Sequence, residues 1–243
     1  MSWGLPRHGL LARLARGPVR RVVSPWLQRR LARAGREAQH WRLGSLRLRI
    51  DPGVFPPGPT LSSALFARWL LSADGPGPWP GRRVLDMGCG SGVIGLAVAR
   101  AGAQVIASDI NPAAAANAAF NAQANGLALT VVVADLLAGI HTPALDCILI
   151  NPPYYARAPR SMPERAWFCG AGFEFFDALF AQLAALDLMR TEVLMVLSED
   201  CDEQGIRQAG LAHGLHLVLR GRGQAWLERN VFMRVVRVAE EVR

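Results

Sequence analysis

Val84-Leu85-Asp86-Met87-Gly88-Cys89-Gly90-Ser91-Gly92, running directly into Val93-Ile94-Gly95-Leu96-Ala97-Val98-Ala99, decides how this chain is read. A short apolar run ends in an acid and a glycine-rich turn, and a second apolar run follows and closes near Gly102. The first run reads as a buried strand and the second as a buried helix. Glycines at such a junction let the backbone approach a ligand closely, at the carboxyl end of the strand and the start of the helix. A nucleotide-like ligand is the expectation. A second strand, Gln104 to Ser108, ends in Asp109, about twenty residues further on, where a carboxylate can accept hydrogen bonds from both ribose hydroxyls. Asp109 can equally cap the helix that Pro112 opens, and the two roles are compatible.

Gly90-Ser91-Gly92-Val93-Ile94-Gly95 fits the GxGxxG dinucleotide fingerprint, a pattern that by itself is weak evidence. Asp86 argues against it: a carboxylate aimed into the turn repels a pyrophosphate and suits the ammonium of a methionine moiety. Downstream, Thr130 to Ala134 reads as a third strand, ending in Asp135, which as a residue type also suits a plain strand-end turn.

Further out, Ile148-Leu149-Ile150 stops at Asn151-Pro152-Pro153-Tyr154. A residue before a proline is pushed out of the helical region, so Asn151 and Pro152 are both held extended, and neither proline can donate a backbone hydrogen bond. The stiff exit presents acceptors, the Asn151 side-chain oxygen and the Pro152 carbonyl, beside the flat face of Tyr154. Such a site suits an –NH2 group on a planar carbon. On residue types alone, a turn closing a buried strand is an equal reading.

Helices are further expected at 61–71, 112–124, 173–186 and 202–213, and strands at 84–87, 104–108, 130–134, 146–150, 191–198, 215–220 and 230–238. Strands alternating with helices imply an α/β fold with a doubly wound, mainly parallel, seven-stranded sheet, and the last strand pair, with no helix between, suits an antiparallel end. Phe173, Phe175, Phe176 and Phe180 fit the core side of a helix better than a stacking platform.

Taken together, these motifs resemble class I S-adenosylmethionine (AdoMet) methyltransferases. From about residue 52 to 237 the chain is similar to their NPPY group, above all to the HemK-type protein-glutamine N5-methyltransferases that act on translation release factors and to the "methyltransferase small" family. The residues carrying the resemblance are Val54-Phe55-Pro56-Pro57-Gly58-Pro59-Thr60, Val84 to Gly92, Ser108 to Pro112, Asp135-Leu136-Leu137, Asn151 to Tyr154 and Ala166 to Gly172. The resemblance implies AdoMet as cofactor, held by Asp86, Gly88, Gly90, Gly92, Asp109 and Asp135, with Asp135 at the adenine. It implies Asn151, Pro152 and Tyr154 as catalytic residues, with Asn151, Pro152, Pro153 and Tyr154 binding the acceptor. The implied activity is N-methylation, foremost of a protein glutamine amide as in release factors, with an adenine or guanine amine of RNA or DNA as the alternative. Two departures stand out: residues 1–50 are too few for the helical recognition domain of bacterial HemK-type enzymes, and Phe55 to Thr60 lacks the arginine and glutamate usual in that segment.

Charge divides the chain into an arm and strand or hairpin at 1–50 and a catalytic domain at 51–243. Residues 1–50 contain twelve arginines and one acid (+11), whereas 51–243 contain fifteen arginines and eighteen acids (−3), which together give the net +8. The arm has three readings, in this order: a packing element, a nucleic-acid or ribosome contact, and a transit peptide. Within it Leu46, Leu48 and Ile50 alternate with Arg47 and Arg49, as in half of a hairpin turned at Gly44-Ser45. No run is long and apolar enough to span a membrane. Cys89, Cys147, Cys169 and Cys201 show neither CxxC spacing nor clustering with histidine, so no metal or disulfide framework is expected, and reduced cysteines fit a cytoplasmic protein.

Overall fold

In the computed structural model, residues 37–56, 62–199, 201–225 and 228–238 are described. The expected helical faces at Leu10 to Leu14 and after Ser24-Pro25 lie outside them.

The glycine-rich segment forms the centre of the fold. Its strand Arg83–Met87 (β3) runs parallel to Gln104–Asp109 (β4) on one side and to Cys147–Ile150 (β6) on the other. Leu129–Val133 (β5) pairs outside β4, Glu192–Ser198 (β7) outside β6, and all five are parallel. The long hairpin Leu215–Ala225 (β8) and Glu228–Arg237 (β9) closes the other end, with β9 antiparallel to both β7 and β8. The seven-stranded order is β5-β4-β3-β6-β7-β9-β8, a doubly wound, mainly parallel sheet with an antiparallel end, as the strand pattern implied.

Helices cover both faces, which is why the inner strands read as continuous apolar runs. Val84, Cys147, Leu149, Leu194 and Val196 point into one core, with the helices Ser62–Leu70 (α1) and Val93–Arg100 (α2). Their neighbours Leu85, Ile148, Ile150, Val193 and Met195 point into the other, with Glu174–Leu183 (α4) and Glu203–Ala212 (α5). Phe176 and Phe180 are fully buried there, as core residues of α4, while Phe173 starts that helix in the left-handed region.

The hairpin turned at Gly44-Ser45 is present, joining Gln39–Leu43 (β1) to Leu46–Ile50 (β2). Leu46, Leu48 and Ile50 point into the first core. The exposed edge of β2 is not paired to a strand. It is met by asparagines one helical turn apart on Pro112–Ala124 (α3) and its C-cap. Asn121 bonds both the N–H and the carbonyl of Arg49, each at 2.8 Å, and Asn125 does the same to Arg47, at 2.9 and 2.7 Å. Asn117 adds a 3.0 Å bond to the Arg49 carbonyl. Backbone groups that would tempt another strand are satisfied by side-chain amides instead.

Candidate active site

β4 and β5 lie on one side of β3 and β6 on the other, so the chain reverses its winding direction between β3 and β6. Connections leave that point in opposite directions and open a crevice at the carboxyl ends of the strands. A cavity of about 450 Å3 lies there, walled by the ends of β3, β4, β5 and β6. That volume falls within the usual range for small-molecule sites.

At the β3 end, Gly88 and Gly90 adopt φ of 70° and 54°, and nothing stands within 4 Å of where a side chain would begin at either one. The turn is tied to β4 by a 2.9 Å bond from Cys89 N–H to the Ser108 carbonyl. Asp109 Oδ2 accepts from Gly90 N–H and its Oδ1 from Asn111 N–H, both at 2.9 Å, so each oxygen keeps a further lone pair for a ligand. Burial pushes the Asp109 carboxyl above its ordinary value, and the N–H groups of Asn111 and Gly90 oppose the rise. The helix-capping role goes to Asn111, whose side chain accepts from Ala113 N–H.

The cavity gathers Gly88, Gly90, Asp109 and Asp135 at one end and Asn151, Pro152, Pro153 and Tyr154 at the other. Asp86 and Gly92 are not in its wall. Asp86, 1% exposed, sits beneath the turn with Oδ2 accepting a 2.8 Å bond from Gly95 N–H. The carboxylate expected to face an ammonium therefore faces a helix backbone. Gly92 precedes α2 at φ 81°, and a Cβ there would come 3.1 Å from Ala118 Cβ, so α3 requires the glycine.

Several wall residues had no separate reading in the sequence. Ser108 lines the cavity, and its buried hydroxyl has no hydrogen-bond partner among the described residues. Phe55 and Trp167 line the cavity in contact with each other, ring centroids 4.5 Å apart, and the Tyr155 ring centroid lies 5.0 Å from that of Tyr154. Ser63 lines the wall as well; its hydroxyl accepts a 2.7 Å bond from Asn151 Nδ2, with Ser62 a longer second acceptor at 3.4 Å. Only the aromatic residue types at Phe55, Tyr155 and Trp167 could have flagged wall positions; nothing in the sequence pairs Ser63 with a residue 88 positions away.

Residues 45–165, which contain this turn and the Asn151 exit, match the family profile described as Methyltransferase small domain. This stretch is a methyltransferase small domain. The chain is 44% identical over 82 residues to a ribosomal protein L11 methyltransferase of Xanthomonas axonopodis pv. citri, a match covering 33% of this chain and 27% of that protein. The aligned part is thus about a quarter of that relative's length. Among solved structures, the T. thermophilus 16S rRNA N2 methyltransferase RsmC, in complex with AdoMet and guanosine, aligns with TM-score 0.57 at 21% identity, over 81% of this chain and 49% of that one. The E. cuniculi Mtq2-Trm112 complex, responsible for methylation of the eRF1 termination factor, aligns with TM-score 0.55 at 20% identity, over 76% of this chain and 99% of that one. The small domain and its added strands therefore have the Rossmann-like α/β fold of class I methyltransferases. Among the described residues no group of three metal-ligating side chains occurs, and no helix is long and apolar enough to cross a membrane.

Proposed function

We propose that the chain is an AdoMet-dependent N-methyltransferase acting on a planar amide or amine nitrogen, foremost the side-chain amide of a protein glutamine, as the family resemblance implies. One observation carries the reading. Asn151 stands at the cavity with its Nδ2 taken up by Ser63, which leaves Oδ1 as the acceptor available to a bound –NH2 group. The opposite end fits the cofactor: an open glycine turn, spare lone pairs on Asp109 and the unpartnered Ser108 hydroxyl.

When bound, AdoMet supplies an electrophilic sulfonium methyl group. The chain supplies activation of the acceptor. An amide or aromatic amine nitrogen is a poor nucleophile because its lone pair is delocalised. Hydrogen bonds to Asn151 Oδ1 and the Pro152 carbonyl localise that pair and stabilise the positive charge that develops, while the Tyr154 ring holds the planar group. No dedicated base is needed, because the N–H becomes strongly acidic as the new bond forms and water can take the proton. A cytoplasmic placement is proposed from the cysteine spacing in the sequence.

A nucleic-acid base is the second reading, favoured by the cavity mouth. Arg165 lines the cavity, and the segment before it carries Arg157, Arg160 and Glu164, which pairs with the Arg157 guanidinium and accepts from the Arg160 N–H. Among the described residues, the Arg160 and Arg165 side chains have no partner, and Arg165 lines the cavity beside Trp167. Flat aromatic walls with free cations suit a base and its phosphate.

Labelling a lysate with tritiated AdoMet, then digesting one half with protease and the other with nuclease, separates the two. Protease-sensitive label on glutamine supports the first reading and nuclease-sensitive label the second. Absence of label in both overturns the methyltransferase proposal.

A further inference from the structure

Asn151 is held extended by Pro152, so the main freedom left to it is rotation of its side chain. Turning the terminal amide over exchanges its oxygen and nitrogen with almost no change of shape, yet the two faces have opposite chemistry. With the oxygen toward the cavity, Asn151 accepts from an acceptor –NH2 group; with the nitrogen there, two donors confront two donors. The proposed activation therefore depends on something that selects the face.

We infer that Ser63 is a positioning residue that makes this selection, holding the Asn151 –NH2 group against α1 so that Oδ1 points into the cavity. This inference rests on the proposed role of Asn151. Ser62 and Ser63 open α1, yet they are 1% and 6% exposed, turned inward rather than capping the helix toward water. The Asn151 –NH2 group has two hydrogens, and two hydroxyl oxygens face it, at 2.7 Å from Ser63 and 3.4 Å from Ser62. Both hydroxyls act here as acceptors, so the Asn151 donors are used on the helix side; because a hydroxyl can also donate, the selection holds only while the serines keep this acceptor role. The arrangement joins the start of α1 to the end of β6, so the orientation of a reacting group is set by a helix that supplies little else to the site.

The first test needs neither AdoMet nor an acceptor. In the full chain selectively labelled with 15N-asparagine, Asn151→Asp identifies the Asn151 side-chain –NH2 signals by their loss. In the wild-type chain these protons exchange slowly with water, and in Ser63→Ala they exchange about tenfold faster, as expected for loss of one hydrogen bond. Equal exchange in the two proteins overturns the inference, as does fast exchange in the wild type, which would mean that the –NH2 faces the cavity. Should Ser63→Ala fail to fold, Ser63→Cys preserves the volume with a weaker acceptor and is read in the same way.

The second test uses the fraction labelled by tritiated AdoMet as substrate. Ser63→Ala lowers kcat about a hundredfold through misorientation, with AdoMet affinity unchanged, and Ser63→Thr recovers most of the rate. In the Asn151→Ala background, Ser63→Ala has no further effect, because the group it positions is gone. Losses that simply add would show that Ser63 acts elsewhere. If no fraction takes up label, the methyltransferase reading fails, while the exchange measurement still decides whether Ser63 holds the amide.

Discussion

Asp86 and Gly95 lock the glycine-rich turn from below: the Asp86 carboxylate accepts a 2.8 Å bond from Gly95 N–H, and a Cβ at position 95 would lie 2.9 Å from that same oxygen. The strand end and the first turn of α2 are thus joined with no space for a side chain between them. The final glycine of the GxGxxG pattern is required by this contact, whichever ligand the turn holds.

Stability should depend on the charge of Asp86. Burial pushes its carboxyl up to about 7, Gly95 N–H opposes the rise and the charge of Asp109 adds to it. The folded state therefore holds this proton more tightly than the unfolded chain. The stabilisation is fully present below about pH 4, the unfolded value, and is lost as pH rises through about 7. Asp86→Asn keeps an oxygen for Gly95 and should remove this dependence, leaving the variant more stable than wild type at pH 8 by up to about 4 kcal/mol. Urea unfolding from pH 4 to 8 checks it; identical pH profiles would show that Asp86 is not the group responsible.

Asp109→Ala should weaken AdoMet binding by about 1–3 kcal/mol if a charge-assisted bond to the cofactor is lost. Asp109 also holds the N–H groups of Gly90 and Asn111, so calorimetric titration is best accompanied by a melting curve. Unchanged affinity would reduce Asp109 to a brace for the turn.

Asn151→Ala should bind AdoMet normally while losing roughly a hundredfold to a thousandfold in methyl-transfer rate, the usual cost of removing one preorganised electrostatic group. Tyr154→Phe should be far milder than Tyr154→Ala, since the proposed role, holding a planar acceptor, belongs to the ring. Single-turnover rates on the labelled acceptor decide both.

Gly92→Ala would force a side chain into the left-handed region and against Ala118, so it should destabilise the fold by more than about 1 kcal/mol. Thermal unfolding measures this without any ligand. A melting temperature equal to that of the wild type would mean that α3 shifts to accept the methyl group.

If the acceptor is nucleic acid, Arg160→Gln and Arg165→Gln should each weaken its binding and flatten the slope of log affinity against log salt by about one phosphate contact. AdoMet affinity should not change. Equal slopes in the variants and the wild type would remove the cavity mouth from the interface.

The sequence by itself determined the order of elements, the parallel sheet and the four strand ends that meet at the cavity. These are local signals: apolar runs of strand or helix length, glycines at a strand-to-helix turn, and prolines that stiffen the exit at Asn151. Such signals depend on residues next to one another in the chain, and the backbone obeys them wherever the segment lies. Tertiary structure decided what each chemical group faces. Asp86 reads as a ligand contact because a carboxylate aimed into the turn would suit an ammonium, yet its side chain leaves β3 beneath the turn and meets Gly95. Gly92 is kept small by Ala118 on α3, the edge of β2 is satisfied by Asn121 and Asn125, and the amide of Asn151 meets a serine 88 residues earlier. Each of these depends on the distance between elements brought together only when the sheet and its helices pack, and no spacing along the chain encodes that distance.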